Sequence, residues 1–170
     1  VSAPPPDLPG LDPFLGLVRR VPAGADVSIV ADPELARFLP AARAVDSPDE
    51  LRACDAVACR APSRFGPPLA IAQALRARAR MAFLADLVWA TAPSPDLARA
   101  FATGRADKVR PMEGFEMQVE QAGWRIVARE HVARDAWLAH LRAGDPRRGV
   151  VEADARQAAR VLMLALEREG

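Results

Sequence analysis

Few residues in this chain are equipped for chemistry, and their spacing narrows what they could do. His131 and His140 are its only histidines. His131 closes a segment of strand-like alternation, at the sheet edge where open α/β proteins bind ligands, so a general-base role is conceivable for it. Two imidazoles do not make a metal site, and no carboxylate at an i,i+4 spacing completes one, so surface or capping roles are favoured and no metal is expected. Cys54 and Cys59 lie five residues apart in a strand-like segment, on opposite faces, which disfavours a bridge or a shared metal. They read as small buried strand residues. Arg76, Arg78 and Arg80 could meet a phosphate. Cations also stabilise a helix C-terminus, and these three belong to no wider basic stripe, so the helix-end reading is preferred. No Ser-His-Asp set has a nucleophile-elbow context, and no catalytic residue is assigned.

One turn stands out. In "VSIVADPELARF", residues 27–38, a strand-like run passes directly into Asp32-Pro33-Glu34 and then a helix-like segment. Many α/β enzymes place a glycine loop at this first strand-to-helix turn, where backbone must approach a ligand closely. Here glycine is absent. Asp-Pro-Glu reads first as a helix start, with acidic residues at the positive end of the dipole. Asp46, just before Ser47-Pro48, reads as an ordinary turn residue on the same local grounds.

Composition limits the remaining choices. The chain has 170 residues, 51% of them hydrophobic and 26% charged, which is most simply one folded domain with a real core. A net charge of +1 gives no electrostatic case for nucleic acid or an anionic membrane. Lys108 is the only lysine among many arginines, and with abundant Ala and Pro this reads as the usage of a high-GC, bacterial genome. Tyr is absent and aromatics are 5%, which argues against a stacking platform for single strands. No apolar run has the length of a membrane span, and "VSAPPPDLPG" has neither the basic nor the apolar part of a signal peptide; a cytoplasmic location is the expectation.

The elements that must position these residues follow from pattern. Residues 1–10 form a Pro-rich arm, expected to be mobile or to lie on the surface, and residues 11–170 an α/β domain. A short helix is expected from Asp12 as cap, with Phe14, Leu17 and Val18 on its apolar face. Strands are expected at 26–31, 42–46 and 54–62, the last two separated by "SPDEL", which has the form of a capping box. A helix then starts at Pro68. "RMAFLADLVWA", residues 80–90, is the longest apolar run and reads as a central strand covered on both faces. A capped helix follows in "APSPDLARAFATG", then a charged connector, "GRADKVR". Met112, Phe115, Val119 and Ala122 make a helical stripe closed by Gly123, and "WRIVAREHV", 124–132, alternates as a strand. Helices are expected through Trp137, Leu138 and Leu141 and, last, through Ala155, Ala158, Val161, Leu162 and Ala165. Trp89, Trp124 and Trp137 read as core or interface anchors. Strands alternating with helices predict a three-layer α/β sandwich with a mainly parallel sheet of about five strands.

Three segments in this order resemble the class I S-adenosylmethionine-dependent methyltransferases. "FLGLVRRVPAGADVSIV" is similar to the family's opening helix, turn and first strand. "CDAVACRAPSRFGPPLAIAQALRARARMAFLADLVW" is similar to its fourth strand, following helix and fifth strand. "EGFEMQVEQAGWRIVAREHVARDAWLAHL" is similar to its late helix and sixth strand. The resemblance covers roughly residues 14–142. It implies a Rossmann-like, methyltransferase-type sheet, truncated relative to the full fold, with the third strand and the final antiparallel strand absent.

The resemblance also implies site residues. Asp46 maps to the acid that holds the cofactor ribose, Asp32 to the cofactor loop, and Arg60 opens a turn, 60–65, that would face cofactor and substrate. The connector at 104–110 falls where the family places substrate-recognition elements. Because Asp32-Pro33-Glu34 replaces the glycine loop, no cofactor is expected. The favoured reading is a methyltransferase-like protein that no longer methylates and acts through association, as a homodimer or as the inactive partner of another subunit. The alternative is a minimal active methyltransferase for a small molecule, binding S-adenosylmethionine.

Overall fold

The computed structural model describes residues 4–102 and 107–170. Residues 1–3 of the Pro-rich arm and 104–106 of the charged connector lie outside the described residues. Alternation and apolar runs become a seven-stranded sheet. Its strands are β1 (Val27–Val30), β2 (Arg43–Val45), β3 (Cys54–Arg60), β4 (Ala79–Trp89), β5 (Arg110–Pro111), β6 (Trp124–Val132) and β7 (Ala159–Arg168). The order is β2-β1-β3-β4-β7-β6, with the two-residue β5 pairing β4 at Val88 and Trp89. β1, β2, β3 and β4 pair in parallel, while β7 runs antiparallel to both β4 and β6.

Helices cover both faces because the central strands are apolar on both. Along β4, Phe83, Ala85, Leu87 and Trp89 enter one core, and Ala82, Leu84 and Val88 enter the other. The first core is closed by α1 (Leu11–Val18), α2 (Pro33–Phe38), α4 (Pro95–Ala100), α6 (Arg134–His140) and α7 (Pro146–Ala153). The second is closed by α3 (Pro68–Arg76) and α5 (Met112–Gln121). Trp124 anchors this second side, its Nε1 donating to the Ala72 carbonyl at 2.8 Å. Gly123, at φ +91°, ends the α5 turn in the left-handed region that favours glycine, and a Cβ there would sit 2.5 Å from Arg76 Nε, so the Arg76 side chain would have to leave its carbonyl contacts. Arg76 uses its guanidinium on the Gly123 and Glu169 carbonyls rather than on a ligand.

Several expectations need correction. The last helix expected through Ala155–Ala165 is instead the strand β7, so the final antiparallel strand is present and the sheet exceeds five strands. The physical reason is that "VLMLAL" is buried on both faces, and a continuous apolar run carries no period that separates strand from helix. The third strand is absent as expected: only a single 3₁₀ turn, Pro48–Glu50, joins β2 to β3, which leaves β2 as an exposed edge. α1 is capped by Gly10 at φ +90°, not by Asp12, which lies in the first turn. The capping box does not form: the Ser47 side chain makes no cap bond, and Glu50 accepts at 3.1 Å from the amide of Asp46, one residue before the cap, rather than from that of Ser47. The arm does not lie loosely on the surface. Pro6, Leu8 and Pro9 are buried, and Leu8 belongs to the first core.

Candidate functional site

Parallel strands bring the ends of β1, β2 and β3 to one edge of the sheet, the edge where open α/β folds bind ligands. β1 and β3 each leave it through an alanine in the left-handed region, Ala31 at φ +46° and Ala61 at φ +54°. A side chain rarely adopts this conformation, which costs roughly 1–2 kcal/mol per residue. What holds both is a single guanidinium. Arg64, in the 3₁₀ turn Pro62–Arg64 after β3, donates to the carbonyls of Ala31 (2.9 Å), Arg60 (2.6 Å) and Ala61 (3.0 Å). It also reaches the Pro4 carbonyl at 2.5 Å, tying the N-terminal arm to the same edge.

Beneath this knot lies a buried ion pair. Arg60 Nε and Nη2 meet the two oxygens of Asp32 at 2.6 and 2.9 Å, with both side chains at most 1% exposed. Nη2 also reaches Glu34 at 3.0 Å, whose carboxylate is largely in solvent. The fork geometry is what makes such a pair tolerable, since two desolvated charges gain little unless each is well matched. Burial works against the charge on Arg60, but the hydrogen bonds and charges of Asp32 and Glu34 outweigh it and raise its pKa. Asp32 also caps α2, accepting from the Leu35 amide at 3.0 Å. One carboxylate therefore serves helix start and ion pair together.

Beyond β4 the same edge opens into a cleft of about 500 Å³. Leu87, Phe101 and Trp137 form its apolar lining, and Pro4 and Leu8 of the arm also line it. Phe101 stands edge-on between Trp89 and Trp137, with centroids 6.1 and 4.9 Å away. The rim is charged but balanced. Arg147 contacts Asp145 at 2.9 Å and Asp7 at 2.8 Å, and His140 Nε2 donates to Asp7 at 2.8 Å. The hydrogen bond from His140, with Arg147 beside it, holds the Asp7 carboxyl down at about 2. Asp145 is lowered by its bonds from Arg147, and Arg147 is raised by Asp145 and Asp7. Deeper in, Asp86 accepts from the Ser63 amide and hydroxyl and from the Leu87 amide, at 2.8–3.0 Å.

Of the residues singled out in the sequence, Asp32 and Arg60 meet directly, although they are 28 residues apart. Asp46 does not join them. It stands exposed at the end of β2, beside the β1 turn, where Ala31 N donates to Val45 O at 2.7 Å. His131 is exposed on β6, 3.0 Å from Arg160 Nη1, and does not line the cleft. Cys59 is buried, and burial pushes its thiol up to about 12; neither cysteine is bridged. Among the described residues no group of three or more potential ligands could hold a metal ion. Likewise, no helix is long and apolar enough to cross a membrane. Sequence reasoning missed Arg64, Asp7 and Arg147. The Asp145-Pro146 pair, a helix start like Asp32-Pro33, was the available signal for the last of these.

The strand order and the antiparallel β7 define the class I S-adenosylmethionine-dependent methyltransferase fold, and comparison with solved structures bears this out. A SAM-dependent methyltransferase from Geobacter sulfurreducens, solved with S-adenosyl-L-homocysteine, superposes with a TM-score of 0.67 at 13% identity, over 94% of this chain and 90% of the other. Geranyl diphosphate C-methyltransferase from Streptomyces coelicolor gives 0.67 at 8% identity, over 93% and 78%. A cyclopropane synthase from Mycobacterium tuberculosis gives 0.67 at 12%, over 93% and 82%. No protein-family model matches the sequence, and no curated protein matches it either.

Proposed function

We propose that this chain is a non-methylating protein on a methyltransferase fold, which acts through association with a protein partner, its own second copy first of all. The observation that carries the reading is the buried Arg60–Asp32 pair with the Arg64 knot above it. In the neighbours solved with S-adenosyl-L-homocysteine the fold serves a cofactor, and the first turn is where close backbone approach is needed. The residues present here do not fit that group. Pro33 has no N–H to offer, Asp32 is spent on Arg60 and Leu35, and Arg64 takes up the carbonyls of the turn. Association is supported by the uncovered edge strand β2 and by Phe38 beside it, 48% exposed over an apolar groove.

One observation keeps the alternative in play: Asp46 sits at the end of β2 with its carboxylate unbonded among the described residues. A thermal shift separates the two. A micromolar ligand at millimolar concentration would stabilise the chain by about 4 kcal/mol, so S-adenosylmethionine is expected to leave the melting temperature unchanged. A clear rise that disappears in Asp46→Ala would overturn the cofactor-free reading in favour of a cofactor site at Asp46. Light scattering tests association: a dimeric mass is expected, and a monomer at every concentration contradicts it.

A further inference from the structure

The sheet ends on β2 with its hydrogen-bonding edge open. β2 pairs only with β1, so its far side faces no strand. Val45 O accepts from Ala31 N, which turns the Val45 backbone groups toward β1. Successive residues of a strand point theirs to opposite sides, so the N–H and C=O of Ala44 face outward. The two ends of this edge carry opposite charge. The segment entering β2, residues 37–43, holds Arg37 and Arg43 and no acid, and Arg19 lines the groove beside it. The link leaving it, 46–53, holds Asp46, Asp49 and Glu50 against Arg52 alone. Asp26 also stands at the basic end, 3.6 Å from Arg43, but a half-exposed pair of this kind contributes little. The faces correspond as well. Val45 packs on the second core and Ala42 on the first, so alternation puts Arg43 on the second-core face. The 3₁₀ turn Pro48–Glu50 meets α3, which closes that same core, so Asp49 shares the face of Arg43. A parallel partner strand of the same sequence would set basic end on basic end. An antiparallel one reverses the ends, and a two-fold axis supplies that reversal from a second copy of this chain.

We propose that two copies pair antiparallel through β2, about a two-fold axis at Ala44, with the Arg43 end of each set against the Asp49 end of the other. The proposal rests on the reading that the chain acts through association, and it names the surface and the register. Ala44 of each copy exchanges two backbone hydrogen bonds with Ala44 of the other, and the two sheets become one. Phe38, 48% exposed on the groove that runs into β2, adds apolar area beside the pairing. Sedimentation equilibrium of the intact chain should show monomer and dimer in exchange. Ala44→Pro is tolerated within one copy, because the N–H it removes faces away from β1, but it breaks the exchange between copies and should abolish the dimer. Arg43→Glu and Asp49→Arg should each raise the dimer Kd at least about tenfold, since the two-fold axis repeats every clash. The double reversal should bring Kd back to within about threefold of the unaltered chain. Circular dichroism checks that each variant is folded, and if Ala44→Pro is not, the charge reversals still decide. An undiminished dimer in folded Ala44→Pro, single reversals without effect, or a double reversal no tighter than the single ones would each overturn the proposal while leaving association through another surface standing. An unaltered chain that is monomeric at every concentration overturns the association reading itself, and this pairing with it.

Discussion

Two stretches of the same sheet edge are built on opposite terms. Over β1 and β3 the chain fills the space with its own charges: Asp32 against Arg60, and Arg64 against the carbonyls of Ala31, Arg60, Ala61 and Pro4. Beyond β4 it leaves an apolar cleft, whose rim charges are paired with each other across α6, α7 and the arm. The difference teaches that one sheet edge can hold a self-paired charged half beside an open apolar one. Both halves hang on the N-terminal arm, through Pro4 on one side and Asp7 on the other.

The largest effect that could break this comparison is removal of Arg60. Arg60→Met leaves the Asp32 carboxylate buried without its partner and should cost about 3–5 kcal/mol in urea unfolding, with Asp32→Ser in the same chain recovering much of it. A loss below about 1 kcal/mol would show that the pair is no more than a surface contact. A smaller effect is expected at the arm. The Asp7 carboxyl is held down at about 2 from an ordinary 3.8, so its contribution is complete above about pH 4 and is lost as pH falls toward 2. Its side chain is 61% exposed and screened, so Asp7→Asn should cost less than about 1 kcal/mol while hastening amide exchange at Leu8 and Gly10, Pro9 having no amide hydrogen. An unchanged exchange rate would mean that the arm is held by its buried Pro6, Leu8 and Pro9 and by the Pro4–Arg64 bond without help from Asp7. The smallest effect is a gain. Ala61→Gly relieves a positive φ and should stabilise by up to about 1 kcal/mol, whereas a loss would mean that the Ala61 methyl is needed for packing.

The parts legible in the sequence are those where one face differs from the other. The bounds of β6, 124–132, follow from its alternation, and α5 from Phe115 and Val119 recurring at helical spacing before Gly123. β7 was not legible as a strand, since "VLMLAL" is apolar throughout and rich in helix formers; pairing with β4 along its length overrides that preference. At the site, Asp32 could be read as a helix start from Asp-Pro alone, but its ion pair could not. The choice of Arg60 as partner depends on β1 and β3 lying side by side, which is topology rather than spacing. The cleft was hidden for the same reason: Leu87, Phe101 and Trp137 come from three separate elements and meet only in the folded chain.

The central claim is that the first turn of this methyltransferase fold has been closed by the chain itself. Calorimetric titration with S-adenosylhomocysteine tests it most directly. We predict no saturable heat in the unaltered chain or in Asp46→Ala. One-to-one binding with a micromolar Kd, abolished by Asp46→Ala, would contradict the claim.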